Sequence, residues 1–122
     1  MTTVALDNRN GLHGAVHISW YTMPQDSVGA YLEFSNHSDK TIQFWGTFGG
    51  ATAAMYGSND PSVATDPDTA AWFPLTDLQG NSISKTSAAG EMIIENPRYI
   101  RPTVVGGDGT TSINVSITAK RG

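Results

Sequence analysis

The chain has 122 residues and no cysteine, with 7 Lys and Arg against 11 Asp and Glu, a formal charge of −4. That length suits one domain with a core of its own. The missing cysteines exclude disulfides, thiolate metal sites and a cysteine nucleophile, and the acidic balance speaks against nucleic acid, whose phosphates need clustered Lys and Arg.

Apolar residues recur mostly at period two, the pattern of strands rather than helices. Val4 to Leu6 is a short apolar start, and Asn10-Gly11 is a hairpin signal because both residues tolerate positive φ. Residues 1–14 therefore read as an N-terminal arm or hairpin. Val16, Ile18 and Trp20 alternate with His17, Ser19 and Tyr21, and residues 24–27 are turn chemistry. Val28, Ala30, Leu32 and Phe34 follow at period two, before a turn at 36–39. Ile42, Phe44 and Phe48 share a face opposite Gln43, Trp45 and Thr47. Gly49-Gly50 ends that run, and residues 51–56 form a further strand.

Residues 57–71 carry two Asp-Pro pairs and no apolar period. They are expected to form a long surface loop with one helical turn near 66–71, and loops of that length often carry function. Strand character returns at 72–75, a turn follows at 78–81, and Ile83 begins a short strand. After a turn at 87–90, Met92, Ile93 and Ile94 read as a short buried strand ended by Asn96-Pro97. Residues 99–105 alternate around Pro102, which has no amide hydrogen and so points to an edge strand or a bulge. Residues 106–110 make a tight connection, and Ile113, Val115, Ile117 and Ala119 give the cleanest strand. The expected fold is all-β: one antiparallel β-sandwich or jelly-roll-like domain over residues 1–122, with about eight or nine strands.

Catalytic motifs are missing. There is no Gly-x-Ser-x-Gly, phosphate-binding loop or His-Glu-x-x-His. His13 and His17 would align on a helix, but strand spacing separates them, and His37 sits in a turn. No enzyme activity is expected. Asp60, Asp66, Asp68, Asp77 and Asp108 offer hard oxygen ligands, yet their spacing matches no calcium loop. They read as turn-capping aspartates, and no metal or cofactor is expected. No apolar run approaches a membrane span, and the start has neither the basic nor the apolar region of a signal peptide.

What remains is the surface. Trp20 and Trp72 read as core. Trp45, opposite Ile42 and Phe44, is placed to reach a partner or a second apolar layer. Arg98 and Arg101 differ in strand parity; each serves either an interface salt bridge or local packing with a carboxylate such as Glu95. The candidate partner-binding residues are Trp45, Asn59, Asp60, Asp66, Asp68, Arg98 and Arg101.

The second half carries a recognisable order: Tyr56-Gly-Ser-Asn-Asp, Trp72-Phe-Pro-Leu-Thr-Asp with Gly80, Glu95-Asn-Pro-Arg-Tyr-Ile-Arg-Pro, and Gly106-Gly-Asp-Gly-Thr-Thr-Ser-Ile-Asn-Val-Ser-Ile. Over about residues 55–121 it resembles small β-sandwich proteins of tailed-phage structural regions, of the capsid decoration or cement type. The resemblance implies a virion protein on the capsid exterior, assembled in the host cytoplasm. Its partners would be the major capsid protein and itself, as a dimer or trimer. The same fragments are similar to discoidin-type sandwiches, which implies the alternative of a glycan-binding module on a phage tail or fibre. The chain departs from that pattern at Asp60, which is followed by Pro61 and an insertion rather than by Gly.

Overall fold

A computed structural model describes residues 2–10, 15–33 and 37–120. Its strands, in chain order, are β1 (Thr2–Val4), β2 (Leu6–Asn10), β3 (Val16–Met23), β4 (Ser27–Gly29), β5 (Leu32–Glu33), β6 (Asp39–Thr47), β7 (Thr52–Ser58), β8 (Phe73–Pro74), β9 (Ser84–Lys85), β10 (Ala89–Ile93), β11 (Tyr99–Val105) and β12 (Ser112–Lys120). They form two packed sheets, and the chain is an all-β sandwich. The first sheet runs β1-β4-β11-β7-β8, with β5 also on β11 and β9 also on β7. The second runs β10-β6-β12-β3-β2. Only β1 with β4 pairs parallel among the described strands.

Period-two alternation builds the layer between the sheets. β12 buries Ile113, Val115, Ile117 and Ala119, while β6 buries Ile42 and Phe44. Met55, Ile100 and Val104 meet them from the first sheet, with Trp20 fully buried in the same cluster. Trp20 also donates its indole N–H to the Ala30 carbonyl at 3.0 Å, so its polar atom is satisfied. Gly29 fits beside it because it has no side chain: a Cβ there would lie 2.5 Å from the Pro102 ring and 2.7 Å from the Trp20 indole.

Residues 2–10 cross between the sheets. β1 extends the first and β2 pairs β3 in the second, with Val4 and Leu6 packed on the core. The Asn10-Gly11 turn itself falls partly outside the described residues, as do Phe34 and the start of the 36–39 turn. In β3 the alternation breaks at Thr22, whose φ is 53°. The pairing with β12 shifts there, and Asn114 Oδ1 accepts the Thr22 amide at 2.9 Å. The extra residue turns Met23 back into the core.

Four local expectations need correction. The helical turn lies at Pro61–Ala64, not at 66–71, because Asp60 caps it and Pro61 starts it. Strand β11 is central, between β7 on one side and β4 and β5 on the other. Pro102 is tolerated because β5 pairs residues 99 and 100 and β4 pairs 103 and 104, leaving 102 at the gap between them. Of Met92, Ile93 and Ile94 only Ile93 is buried, since β10 is an edge strand; Met92 is 41% and Ile94 47% exposed. Trp72 is half-buried on the outer face of the first sheet and lies outside the core cluster.

Candidate functional site

Because Ile100 and Val104 point into the core, Arg101, Thr103 and Val105 stand on the outer face of β11. Tyr56 lies opposite Arg101 on β7, and Val28 opposite Thr103 on β4. The loop joining β7 to β8 folds back over this face, so the site has a strand floor and a loop wall.

Asp60 shapes the loop. Its carboxylate accepts the Ser62 amide at 3.0 Å, the Ser62 hydroxyl at 2.8 Å and the Ala71 amide at 2.9 Å. One side chain thus ties the loop's beginning to its end. The Ala71 amide, then Ser62, hold the Asp60 carboxyl below the usual aspartate range. Trp72 leaves the loop and donates its indole N–H to the Pro67 carbonyl at 2.8 Å. With its edge fixed, the indole lies against Arg101, whose guanidinium carbon is 4.3 Å from the ring centroid.

Arg101 is largely covered. Its Nη1 reaches Asp68 Oδ1 at 3.5 Å, while Asp68 itself is mostly in solvent. Burial lowers the guanidinium pKa from its ordinary value, against the opposing pull of Asp68. Two buried polar atoms at this face have no hydrogen-bond partner among the described residues: Arg101 Nε and Thr103 Oγ1. Thr103 is only 8% exposed. Val28, Tyr56, Trp72, Arg101, Thr103 and Val105 enclose a shallow groove of about 230 Å³. It combines aromatic walls with a cationic, under-bonded floor, which suits a contact that is partly apolar and supplies hydrogen-bond acceptors.

The other candidates fall around it. Asn59 Oδ1 accepts the Arg98 amide at 2.8 Å, joining the loop to the start of β11. Arg98 Nε contacts Glu33 at 2.6 Å, and its guanidinium lies over Tyr99 at 5.1 Å. The Glu33 hydrogen bond is the main cause of the raised Arg98 pKa. Asp66 stays exposed and contributes backbone, its amide bonding the Ser62 carbonyl at 2.7 Å. Six of the seven candidates therefore gather at one end of the first sheet. Trp45 does not: it sits half-buried on β6, across from Asn114, in the second sheet. Glu95 pairs with neither arginine. Its carboxylate takes the Thr76 amide at 2.8 Å and the Thr76 hydroxyl. Tyr56 and Thr103 belong to the site without having been singled out, and Trp72 joins it although its size reads as core. Their outward parity relative to Met55, Ile100 and Val104 is the signal that would find Tyr56 and Thr103.

The remaining aspartates serve turns. Asp77 Oδ1 accepts the amides of Gln79 at 2.9 Å and Asn81 at 3.1 Å, and Asp108 Oδ1 that of Thr110 at 2.8 Å. Among the described residues no three His, Asp or Glu side chains gather to hold a metal. No helix there is long and apolar enough to cross a membrane.

No known protein family matches the chain, and no curated protein does. Several solved structures are similar to it. The SPBc2 prophage-derived protein YomS is similar over 91% of this chain and 98% of its own, at 11% identity with a TM-score of 0.53. The K1 cleaved adhesin domain of Lys-gingipain from Porphyromonas gingivalis W83 aligns over 98% of this chain and 85% of its own, at 12% identity and a TM-score of 0.47. Peruvianin-I, a cysteine peptidase from Thevetia peruviana latex, aligns at 10% identity and a TM-score of 0.44 over 88% of this chain. The chain spans about half the length of peruvianin-I, 51% of it.

Proposed function

We propose that the chain is a non-catalytic virion protein that decorates a phage capsid, binding the coat lattice through the outer face of its first sheet. The observation that carries this reading is the groove around Trp72 and Arg101. Interfaces concentrate their binding energy in Trp, Tyr and Arg side chains set in partly desolvated pockets. Here Trp72, Tyr56 and Arg101 stand together, and a capped loop holds Trp72 in place before any partner arrives. A fixed side chain loses little entropy on docking. The second-half resemblance supplies the phage setting, and a fold shared with a prophage-derived protein agrees with it.

Self-association into a dimer or trimer belongs to the same proposal, because several weak sites on one assembly raise occupancy of a repeating lattice. Leu78, Met92 and Ile94 lie exposed along or beside the edge strand β10 and offer an apolar strip for it. The test is sedimentation of purified protein with undecorated capsids. Co-sedimentation at micromolar protein supports the reading, and protein left wholly in the supernatant contradicts it.

A second reading is favoured by the same groove: a glycan-binding module, with Trp72 and Tyr56 as stacking surfaces and the under-bonded Arg101 and Thr103 as polar contacts. A glycan array, run with and without calcium, separates the two. Array binding lost on Trp72→Ala, together with no capsid binding, selects the glycan.

A further inference from the structure

Lys40 is a cationic residue on the inward face of β6, in phase with the core residues Ile42 and Phe44, and only 1% exposed. Its Nζ donates to two acceptors: the side-chain carbonyl of Asn96 and the His37 backbone carbonyl at 3.4 Å. Neither is a carboxylate, so among the described residues the buried ammonium has no direct ion pair of the kind that usually accompanies one.

We propose that Lys40 and Asn96 condense into an intramolecular side-chain amide, covalently joining the start of β6 to the chain just past β10. Three further observations support it. An amine hydrogen-bonded to a carboxamide oxygen lies beside the carbon it would attack, and holding the two together replaces a bimolecular encounter with an internal one. Burial lowers the Lys40 pKa, against the pull of Asp39 and Glu95, which raises the fraction of neutral, nucleophilic amine. Asn96 is followed by Pro97, whose nitrogen carries no hydrogen. Cyclisation of the asparagine onto the next backbone amide is therefore blocked, and the carboxamide is preserved for the lysine.

The step balances without an outside reagent. The lone pair of neutral Nζ forms a bond to Cγ of Asn96. One amine proton passes to the departing carboxamide nitrogen, the Cγ–Nδ2 bond breaks, and ammonia leaves toward solvent on the exposed side of Asn96. Glu95 is the adjacent carboxylate. Burial raises its pKa, but its bonds to Thr76, its own backbone amide and the charge of Lys40 lower it, and the net shift is downward. Because β10 pairs β6 from Ala89↔Phe44 to Ile93↔Lys40, the bond would fasten this edge strand at its end.

Intact-mass measurement of the purified full chain is the test. The expected mass is about 17 Da below that of the unlinked sequence, the loss of one ammonia. A protease digest should give one branched peptide joining Lys40 to Asn96. An imide at Asn10-Gly11 would show a similar loss but no branched peptide. Lys40→Met and Asn96→Ala should each restore the unlinked mass. Wild-type protein at the unlinked mass, with both residues recovered in linear peptides, overturns the proposal whether or not the variants fold.

Discussion

Thr103→Val gives a quantitative test of how the site is built. Thr103 is buried on the central strand β11, and its hydroxyl has no hydrogen-bond partner among the described residues. A buried unsatisfied hydroxyl costs about 1–3 kcal/mol. Valine keeps the branched shape and the strand preference, exchanges the hydroxyl for a methyl, and adds apolar burial. The folded protein should gain about 1 kcal/mol at the lower end of that range. For a chain of this size that raises Tm by about 3–5 °C. Thermal unfolding by circular dichroism or calorimetry reads it directly. The substitution should also weaken partner binding, because the groove loses one polar contact. A fall in stability of about 1 kcal/mol or more would refute the reasoning, since it would mean that the hydroxyl is bonded in the native protein.

Other outcomes follow from the same geometry. Phe44→Ala removes a fully buried ring between the sheets and should cost about 3–5 kcal/mol, measured by urea unfolding. Asp60→Ala releases both ends of the 59–72 loop, so limited proteolysis there should speed up while the core spectrum stays unchanged. Asp60, Glu95 and Asp108 all have depressed pKa values in the fold. Their contribution is complete above the ordinary carboxylate range and is lost as pH falls through the lower folded values, so Tm should drop on acidification below about pH 4. Asp60→Asn should flatten that drop. Met92→Thr with Ile94→Thr should leave Tm nearly unchanged and reduce self-association in light scattering, because both side chains are largely exposed.

Local alternation made the inward-facing residues of β12, β6 and much of β3 legible, because in a sandwich one face of each strand meets the core. It did not reveal which strands are neighbours. Pro102 looks like an edge signal by its own chemistry, yet it sits in a central strand opposite a gap that only the pairing of β4 and β5 creates. Met92 and Ile94 are as apolar as core residues but flank Ile93 on an edge strand, so parity sends both outward. Trp72 departs from its sequence pattern for a related reason: a large aromatic reads as core, whereas here a loop carbonyl and Arg101 hold it on an outer face. The loop aspartates and arginines were legible as surface groups, while their gathering depends on Asp60 closing the loop. Lys40 carried an unused signal, a charged residue in phase with Ile42 and Phe44.

The central claim is that the chain binds its partner through the outer face of the first sheet. Comparative co-sedimentation of the wild type, Trp72→Ala and Trp45→Ala with undecorated capsids tests it most directly, each variant first shown to keep the wild-type fold by circular dichroism. The account predicts that Trp72→Ala weakens binding at least tenfold, a loss of about 1.4 kcal/mol or more, while Trp45→Ala on the opposite sheet binds as the wild type does. Binding lost with Trp45→Ala and kept with Trp72→Ala would contradict it.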